Sequence, residues 1–102
     1  MSVADLGELR RAIDEIDEQL VVLLNQRAAH ALEVGRIKHA AGMAVYQPAR
    51  EAEVLAHVRE LNAGPLDDGA VTRLFERVID ENRRLERLAD AARAIESTER
   101  GE

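Results

Sequence analysis

The amino-acid sequence predicts an all-α protein with three helices, long, medium and long, in one domain. Its 102 residues include one Phe, one Tyr and no Trp, whereas Ala, Leu, Glu and Arg, which favour helix, dominate. Apolar residues recur in alternating steps of three and four, which is the spacing of one face of a helix. Glycine and proline interrupt this pattern in two places and so divide the chain into three segments.

The first predicted helix runs from about Ala4 to about Ala41, and Ser2 followed by Asp5 resembles a capping box at its start. Its apolar face consists of Leu6, Leu9, Ile13, Ile16, Leu20 and Leu23. This spacing has the heptad character of a helix that packs against other helices. A helix of this length spans about 55 Å, which is too long for so short a chain to cover by itself. We therefore expect a partner subunit, and a dimer that shares one core would supply it.

The second and third helices are separated by turn residues. The segment from Gly42 to Pro48 interrupts the first pattern, and Pro48 suits the first position of a helix because its missing N–H would have no partner there. The second helix is expected to end at Asn62–Pro65, where a glycine precedes a proline. The third helix is expected to begin with Asp67 or Asp68 as its N-cap.

The apolar face of the third helix consists of Val71, Leu74, Phe75, Val78, Ile79, Leu85 and Leu88. Residues 97–102 contain no apolar side chain, and we expect them to fray, as chain ends do when nothing holds them. The predicted domain therefore covers residues 1–96, followed by a tail of residues 97–102.

Composition excludes several functions. The formal charge is −6, from 20 acidic and 14 basic residues, which argues against a protein that binds nucleic acid or an anionic membrane. The absence of cysteine excludes disulfides and thiol chemistry. No stretch approaches the roughly 18 apolar residues of a membrane span, and the first residues lack the features of a signal peptide. The three histidines share no metal-ligand spacing, so we expect no metal site. The lack of cysteine, of a membrane span and of a signal peptide predicts a cytoplasmic protein.

Charged residues occupy positions on the first helix where apolar residues are expected. Arg27 continues the heptad that began with leucine and isoleucine, and a snorkelling arginine at a helix boundary would account for it alone. Lys38 follows eleven residues later, about three turns, so both side chains leave the same face. Arg10 lies 17 residues before Arg27, which rotates it by about 100°. Arg10 could therefore reach the other two cations from a second subunit.

The other two helices repeat this theme. Asn82 and Glu86 are four residues apart and follow the apolar face of the third helix, while Gln47, Arg50 and Glu51 lie at the start of the second. Each group alone is typical of a solvated face, and acids such as Glu51 favour helix N-termini. Together with the cations of the first helix, they form a set that suits a small dicarboxylate. Arginine binds a carboxylate through two parallel hydrogen bonds, and lysine adds a compact charge.

Five segments carry a resemblance to a known family. They are Leu9–Asp17, Leu23–Arg27, Glu33–Lys38, Tyr46–Leu55, and Val71–Phe75 with the Asn82 and Glu86 that follow. In this order and spacing, over about residues 6 to 88, the chain resembles the all-α chorismate mutases. The resemblance implies an intertwined helical homodimer that converts chorismate to prephenate, in phenylalanine and tyrosine biosynthesis. This intramolecular Claisen rearrangement needs no cofactor, metal or covalent intermediate, only a fixed substrate conformation and stabilised charge.

The resemblance also implies roles for individual residues. The pocket within one subunit would contain Arg27, Lys38, Arg50, Glu51, Asn82 and Glu86. Arg10, supplied by the partner subunit, and Arg27 would hold the two carboxylates of the substrate. Lys38 and Glu86 would face the ether oxygen of the breaking bond. Glu51, with Arg50 and Gln47 nearby, would position the ring hydroxyl.

Three residues depart from the pattern of the family. Gln47 stands where relatives often have aspartate, and Asn82 replaces the usual Ser or Thr but can still donate through its NH₂. Glu86 stands where many relatives have glutamine, which donates to the ether oxygen. An ionised carboxylate can only accept a hydrogen bond, so Glu86 must be protonated to help. We therefore expect turnover to fall as the pH rises.

Two alternative functions remain open at this point. An isochorismate–pyruvate lyase has the same fold and acts on an isomeric substrate, although the pair Arg50 and Glu51 favours the mutase. A non-catalytic helical dimer with a regulatory role is the second alternative. Such a protein would gain nothing from Arg27 and Lys38 on inner faces, since burying unpaired charges is costly.

Overall fold

The structure is a computed structural model that describes residues 3–99 of the chain, with side chains from residue 5 onward. It contains three helices: α1 (Val3–Ala40), α2 (Pro48–Leu61) and α3 (Asp68–Glu99). The all-α class and the long, medium, long order are confirmed. The Ser2 side of the predicted capping box lies outside the described residues.

Local hydrogen bonds and residue types explain where α1 ends and where α2 begins. At the end of α1, Met43 N donates to Lys38 O at 2.8 Å and Gly42 N to His39 O at 3.2 Å, which is the Schellman pattern. Gly42 has a φ of 69°, a left-handed conformation that glycine adopts without strain. Pro48 is the first residue of α2, and Gln47 is its N-cap without a side-chain capping bond.

The start of α3 is held by the side chain of Asp67. Its Oδ1 accepts a hydrogen bond from Ala70 N at 2.7 Å, so Asp67 is the N-cap. The helix continues to Glu99, and Thr98 Oγ1 donates to Ala94 O at 3.0 Å within it. Residues 97–99 are therefore helical in this structure, and residues 100–102 lie outside the described part. The domain boundary after residue 96 stays a prediction.

The helix α3 is the element on which the other two pack. The described chain is elongated, with extents of 67 × 27 × 15 Å. Its most buried side chains lie on α3 and are mostly polar: Ile79, Asn82 and Glu86. The best protected part of the described chain is therefore a polar cluster between the helices and not a purely apolar core.

The apolar face of α1 is not covered within the chain. The six residues that predicted this face, from Leu6 to Leu23, are each between 43% and 57% exposed. Burying an apolar side chain of this size is worth about 1.5–3 kcal/mol relative to leaving it in water. A contiguous exposed apolar face of this kind marks an interaction site.

Candidate active site

A cleft of about 290 Å³ lies between the three helices and collects most of the predicted site residues. Seven of the eight line it: Arg27, Lys38, Gln47, Arg50, Glu51, Asn82 and Glu86. The remaining lining residues are His30, Ala31, Val34, Val45, Val54, Ile79 and Arg83. A polar cluster against an apolar wall is the usual composition of a site for a small ligand.

Arg27 and Asn82 form the first pair in the cleft. Arg27 Nη1, from α1, donates to Asn82 Oδ1 on α3. Asn82 is only 9% exposed, so this bond satisfies its buried amide oxygen. An asparagine amide also carries two N–H donors, and these can serve a ligand that accepts hydrogen bonds.

Lys38 and Glu86 form a largely buried ion pair that lines the cleft. Lys38 Nζ lies 3.1 Å from Glu86 Oε1 and 2.9 Å from the backbone oxygen of Val45. Glu86 is 7% exposed. Because an ammonium group has three N–H donors, these two bonds leave one for a ligand. Breaking such a pair is costly, since the remaining charge is buried without compensation.

Gly35 allows Glu86 to lie directly against α1. It is buried in the described structure, and a Cβ atom at this position would lie 3.1 Å from Glu86 Cγ and 3.3 Å from Glu86 Oε1. Sequence reasoning included Gly35 in a family segment but gave it no role. A signal was present, because glycine inside a helix costs about 1 kcal/mol relative to alanine and, where kept, usually has a packing reason.

The electrostatics of the cleft favour an anion. Burial lowers the pKa of Arg27, and the positive charge of Arg50 lowers it further, while Glu86 acts in the opposite direction. Arginine stays protonated in proteins, so Arg27 holds an incompletely compensated charge. Four cationic side chains and two carboxylates line the cleft. An anionic ligand would offset this excess chiefly at Arg27, since Arg50 and Arg83 also pair with Glu53 and Asp80 outside the cleft.

The residues from the start of α2 lie at the edge of the cleft. Gln47 Nε2 donates to Ala44 O at 2.8 Å. Arg50 pairs with Glu53 at 3.3 Å, and its side chain is 71% exposed. The Glu51 side chain contacts α3 instead, where its Oε2 lies 3.4 Å from Arg83 Nη1. Sequence reasoning missed Arg83 altogether, because it lies beside the apolar face of α3 and not on it.

Arg10 is the one predicted site residue that the chain does not bring to the cleft. It is exposed on α1, 17 residues before Arg27, or about 25 Å along the helix axis. No single subunit can therefore use both arginines on one small ligand. Its delivery by a partner subunit stays a prediction.

The described residues contain no group of three or more His, Cys, Asp and Glu side chains arranged to hold a metal ion. Within the same part of the chain, no helix is long and apolar enough to cross a membrane.

Comparison with known proteins agrees with this geometry. Residues 9–87 match the family chorismate mutase type II. The chain therefore belongs to the type II chorismate mutase family. In fold, it matches the structure of chorismate mutase (form II) from Thermus thermophilus with a TM-score of 0.80 and 30% identity, over 81% of this chain and 94% of that one.

Two curated relatives match this chain, one within a much longer protein and one over most of its own length. The bifunctional chorismate mutase/prephenate dehydratase of Neisseria gonorrhoeae is 47% identical over 76% of this chain, but only 21% of its own length is matched. The chorismate mutase of Methanocaldococcus jannaschii is 29% identical over 83% of this chain and 87% of its own length. The chain thus spans about a fifth of the bifunctional relatives that it matches.

The contact between Gly35 and Glu86 can be tested by stability. We expect Gly35→Ala to lower the free energy of unfolding by about 1 kcal/mol, because overpacking costs about 1–3 kcal/mol and exceeds the gain in helix propensity. Gly7→Ala is the matched control, since its added Cβ meets only an ordinary contact with Arg11 at 3.8 Å. This control should raise stability slightly. Denaturant unfolding at one protein concentration measures both, and equal stabilisation by the two variants would show that Gly35 does not constrain Glu86.

Proposed function

We propose that the protein is a chorismate mutase that rearranges chorismate to prephenate in the biosynthesis of phenylalanine and tyrosine. One observation carries this proposal. In a chain of this family, the buried pairs Arg27–Asn82 and Lys38–Glu86 line the same cleft, which has an excess of positive charge. Chorismate is a small dianion with two carboxylates, an ether oxygen and a ring hydroxyl, and each of these groups needs a partner in the cleft.

The carboxylates of the substrate are assigned to arginines. Arg27 is oriented by Asn82, and a guanidinium presents a planar fork of donors that matches a carboxylate. Arg10 of a second subunit would hold the other carboxylate. Binding both ends of a flexible dianion keeps it in the chair-like shape that reacts, which replaces an unfavourable conformational search by a bound geometry.

The ether oxygen is assigned to Lys38 and Glu86. Charge builds on this oxygen as the C–O bond lengthens, and donors placed in advance lower the barrier. Lys38 has one N–H donor beyond those bound to Glu86 and Val45. A protonated Glu86, which would contact Lys38 as a neutral carboxyl and no longer as an ion pair, would add a second donor. The reaction breaks one C–O bond and forms one C–C bond within one molecule, so no co-reactant is needed.

The ring hydroxyl is assigned to Glu51, with Arg50 and Gln47 nearby at the edge of the cleft. Glu51 lines the cleft from the first turn of α2, and a carboxylate accepts a hydrogen bond from a hydroxyl. Arg50 is largely exposed and pairs with Glu53, so its contribution requires a change of side-chain conformation when the ligand binds.

The active form is proposed to be an intertwined homodimer. The exposed apolar face of α1 supports it, as does the distance of Arg10 from the cleft of its own chain. A two-fold arrangement would cover both copies of this face and would give each cleft one Arg10. The cytoplasmic location expected from the sequence stays a prediction.

The proposal is tested by the products formed from chorismate and, separately, from isochorismate. We expect prephenate from chorismate, and a loss of at least about a hundredfold in kcat/KM for Arg27→Gln, the usual scale for removing a charged donor from a buried site. Arg36→Gln is the matched control, because Arg36 lies on the same helix and pairs only with exposed Glu33.

Other products would overturn this assignment. Pyruvate and salicylate from isochorismate, with chorismate barely consumed, would identify the lyase. A folded dimer that consumes neither substrate would support the non-catalytic alternative.

A pH profile tests the role of Glu86. The groups that face it are Lys38 and Arg27, both on α1. Only the protonated carboxyl can donate, and that form is present at low pH and lost as the pH rises. We therefore expect kcat to fall as the pH rises, and Glu86→Gln, a donor at every pH, to remove this slope. Glu33→Gln, on the exposed side of α1, should leave the profile unchanged. A flat profile, with no gain from Glu86→Gln at high pH, would contradict this role.

The dimer is tested by a charge on the apolar face of α1. Ile16 is 54% exposed, and Ile16→Lys would place a cation in the proposed interface. We expect this variant to sediment as a monomer and to lose most of its activity. Glu18→Gln changes the charge equally on the opposite side of the helix and should remain dimeric. A monomeric wild-type protein that turns over chorismate would refute the shared site.

A further inference from the structure

Arg83 joins its own helix, α3, to two other segments at the edge of the cleft. Its Nη1 lies 3.4 Å from Glu51 Oε2 on α2, and its Nη2 lies 2.5 Å from Asp80 Oδ1 on α3. Its guanidinium carbon lies 4.9 Å from the centre of the Tyr46 ring in the connection between α1 and α2. The Arg83 side chain is 20% exposed. A guanidinium can do this because its edge carries the donors while its face stacks on an aromatic ring.

These contacts matter because they help to hold α2 in position against the other helices. The helix α2 packs on α3, and α3 packs on α1, but the backbones of α2 and α1 do not approach each other closely in the described structure. The position of Glu51 relative to Arg27 and Lys38 therefore depends on the link between α2 and α3. Arg83 adds an ion pair to that link within the cleft itself.

The charge of Arg83 also matters for a dianionic ligand. Glu51 is 25% exposed and lines the cleft, so an unpaired carboxylate there would repel the ligand at low dielectric. Asp80, the other carboxylate that contacts Arg83, is 54% exposed and is not among the residues that line the cleft. Within the cleft, Arg83 thus offsets the charge of Glu51 while Asp80 anchors its other nitrogen.

We propose that Arg83 is a positioning residue, which acts through Glu51 and does not itself touch the substrate. It fixes the first turn of α2 against α3, sets the Glu51 carboxylate at the edge of the cleft and neutralises it. Tyr46 holds the plane of the guanidinium. This inference rests on the proposed function for its catalytic consequence, but the link between Arg83 and Glu51 exists independently of any substrate.

The test compares Arg83→Ala in two backgrounds. In the wild-type background we expect KM for chorismate to rise about tenfold, the scale of leaving a partly buried charge unpaired, with a smaller change in kcat. In the Glu51→Gln background, which lowers activity by itself, the same substitution should change KM by less than about twofold, because no carboxylate remains to be neutralised. Arg83→Lys should recover part of the loss, since it keeps the charge without the planar fork.

Arg84→Ala is the control, because Arg84 is 67% exposed and pairs with Glu81 on the outer side of α3. An equal rise in KM in both backgrounds would mean that Arg83 contacts the ligand directly, and would overturn the proposal. An unchanged KM in Arg83→Ala, or an equal rise in KM in Arg84→Ala, would also overturn the proposal.

A wild-type protein that does not act on chorismate would refute the proposed function but not the link. Denaturant unfolding of the wild type, Arg83→Ala, Glu51→Gln and the double variant then tests the link between Arg83 and Glu51. Their midpoints should depart from additivity if Arg83 and Glu51 are coupled, and should be additive if they are not.

Discussion

The buried contact between Lys38 and Glu86 is the constraint on which the rest of the site depends. It joins α1 to α3 at a point where both side chains are largely removed from water. Two features make it possible: Gly35 leaves room for the carboxyl against the α1 backbone, and the turn after α1 brings Val45 O to the same ammonium group. A charge pair in this position is expensive to bury. Its presence in the cleft is consistent with the proposed role of both side chains in binding and chemistry.

One long helix serves two purposes in this account. The second half of α1 carries Arg27 and Lys38 into the cleft, while its first half exposes an apolar face and Arg10. In the proposed dimer, stability and activity would be tied to the same association, because a partner subunit that covers the apolar face would also supply Arg10. The excess of cations among the lining residues would likewise be compensated when an anionic ligand binds.

The sequence predicted the helices well because burial requires apolar residues at the spacing of a helix, and because glycine, proline and aspartate mark the ends. It also predicted which charged residues share the cleft, largely through the family resemblance. It missed Arg83, because its contacts with Glu51 on α2 and with Tyr46 in the connection before α2 are not revealed by any spacing within α3. The importance of Gly35 likewise depends on where α3 lies. The outward direction of Arg50 could not be predicted, since spacing along a helix does not determine the conformation of a long side chain.

The most direct test of the account is complementation between two inactive variants. Arg10→Ala and Arg27→Ala subunits, each inactive alone, are refolded together, so that a mixed dimer contains one cleft with both arginines. Random pairing predicts recovery of about a quarter of the wild-type activity per dimer, because half of the dimers are mixed and each has one intact cleft. No recovery from dimers that have demonstrably exchanged subunits would contradict a site shared between two chains.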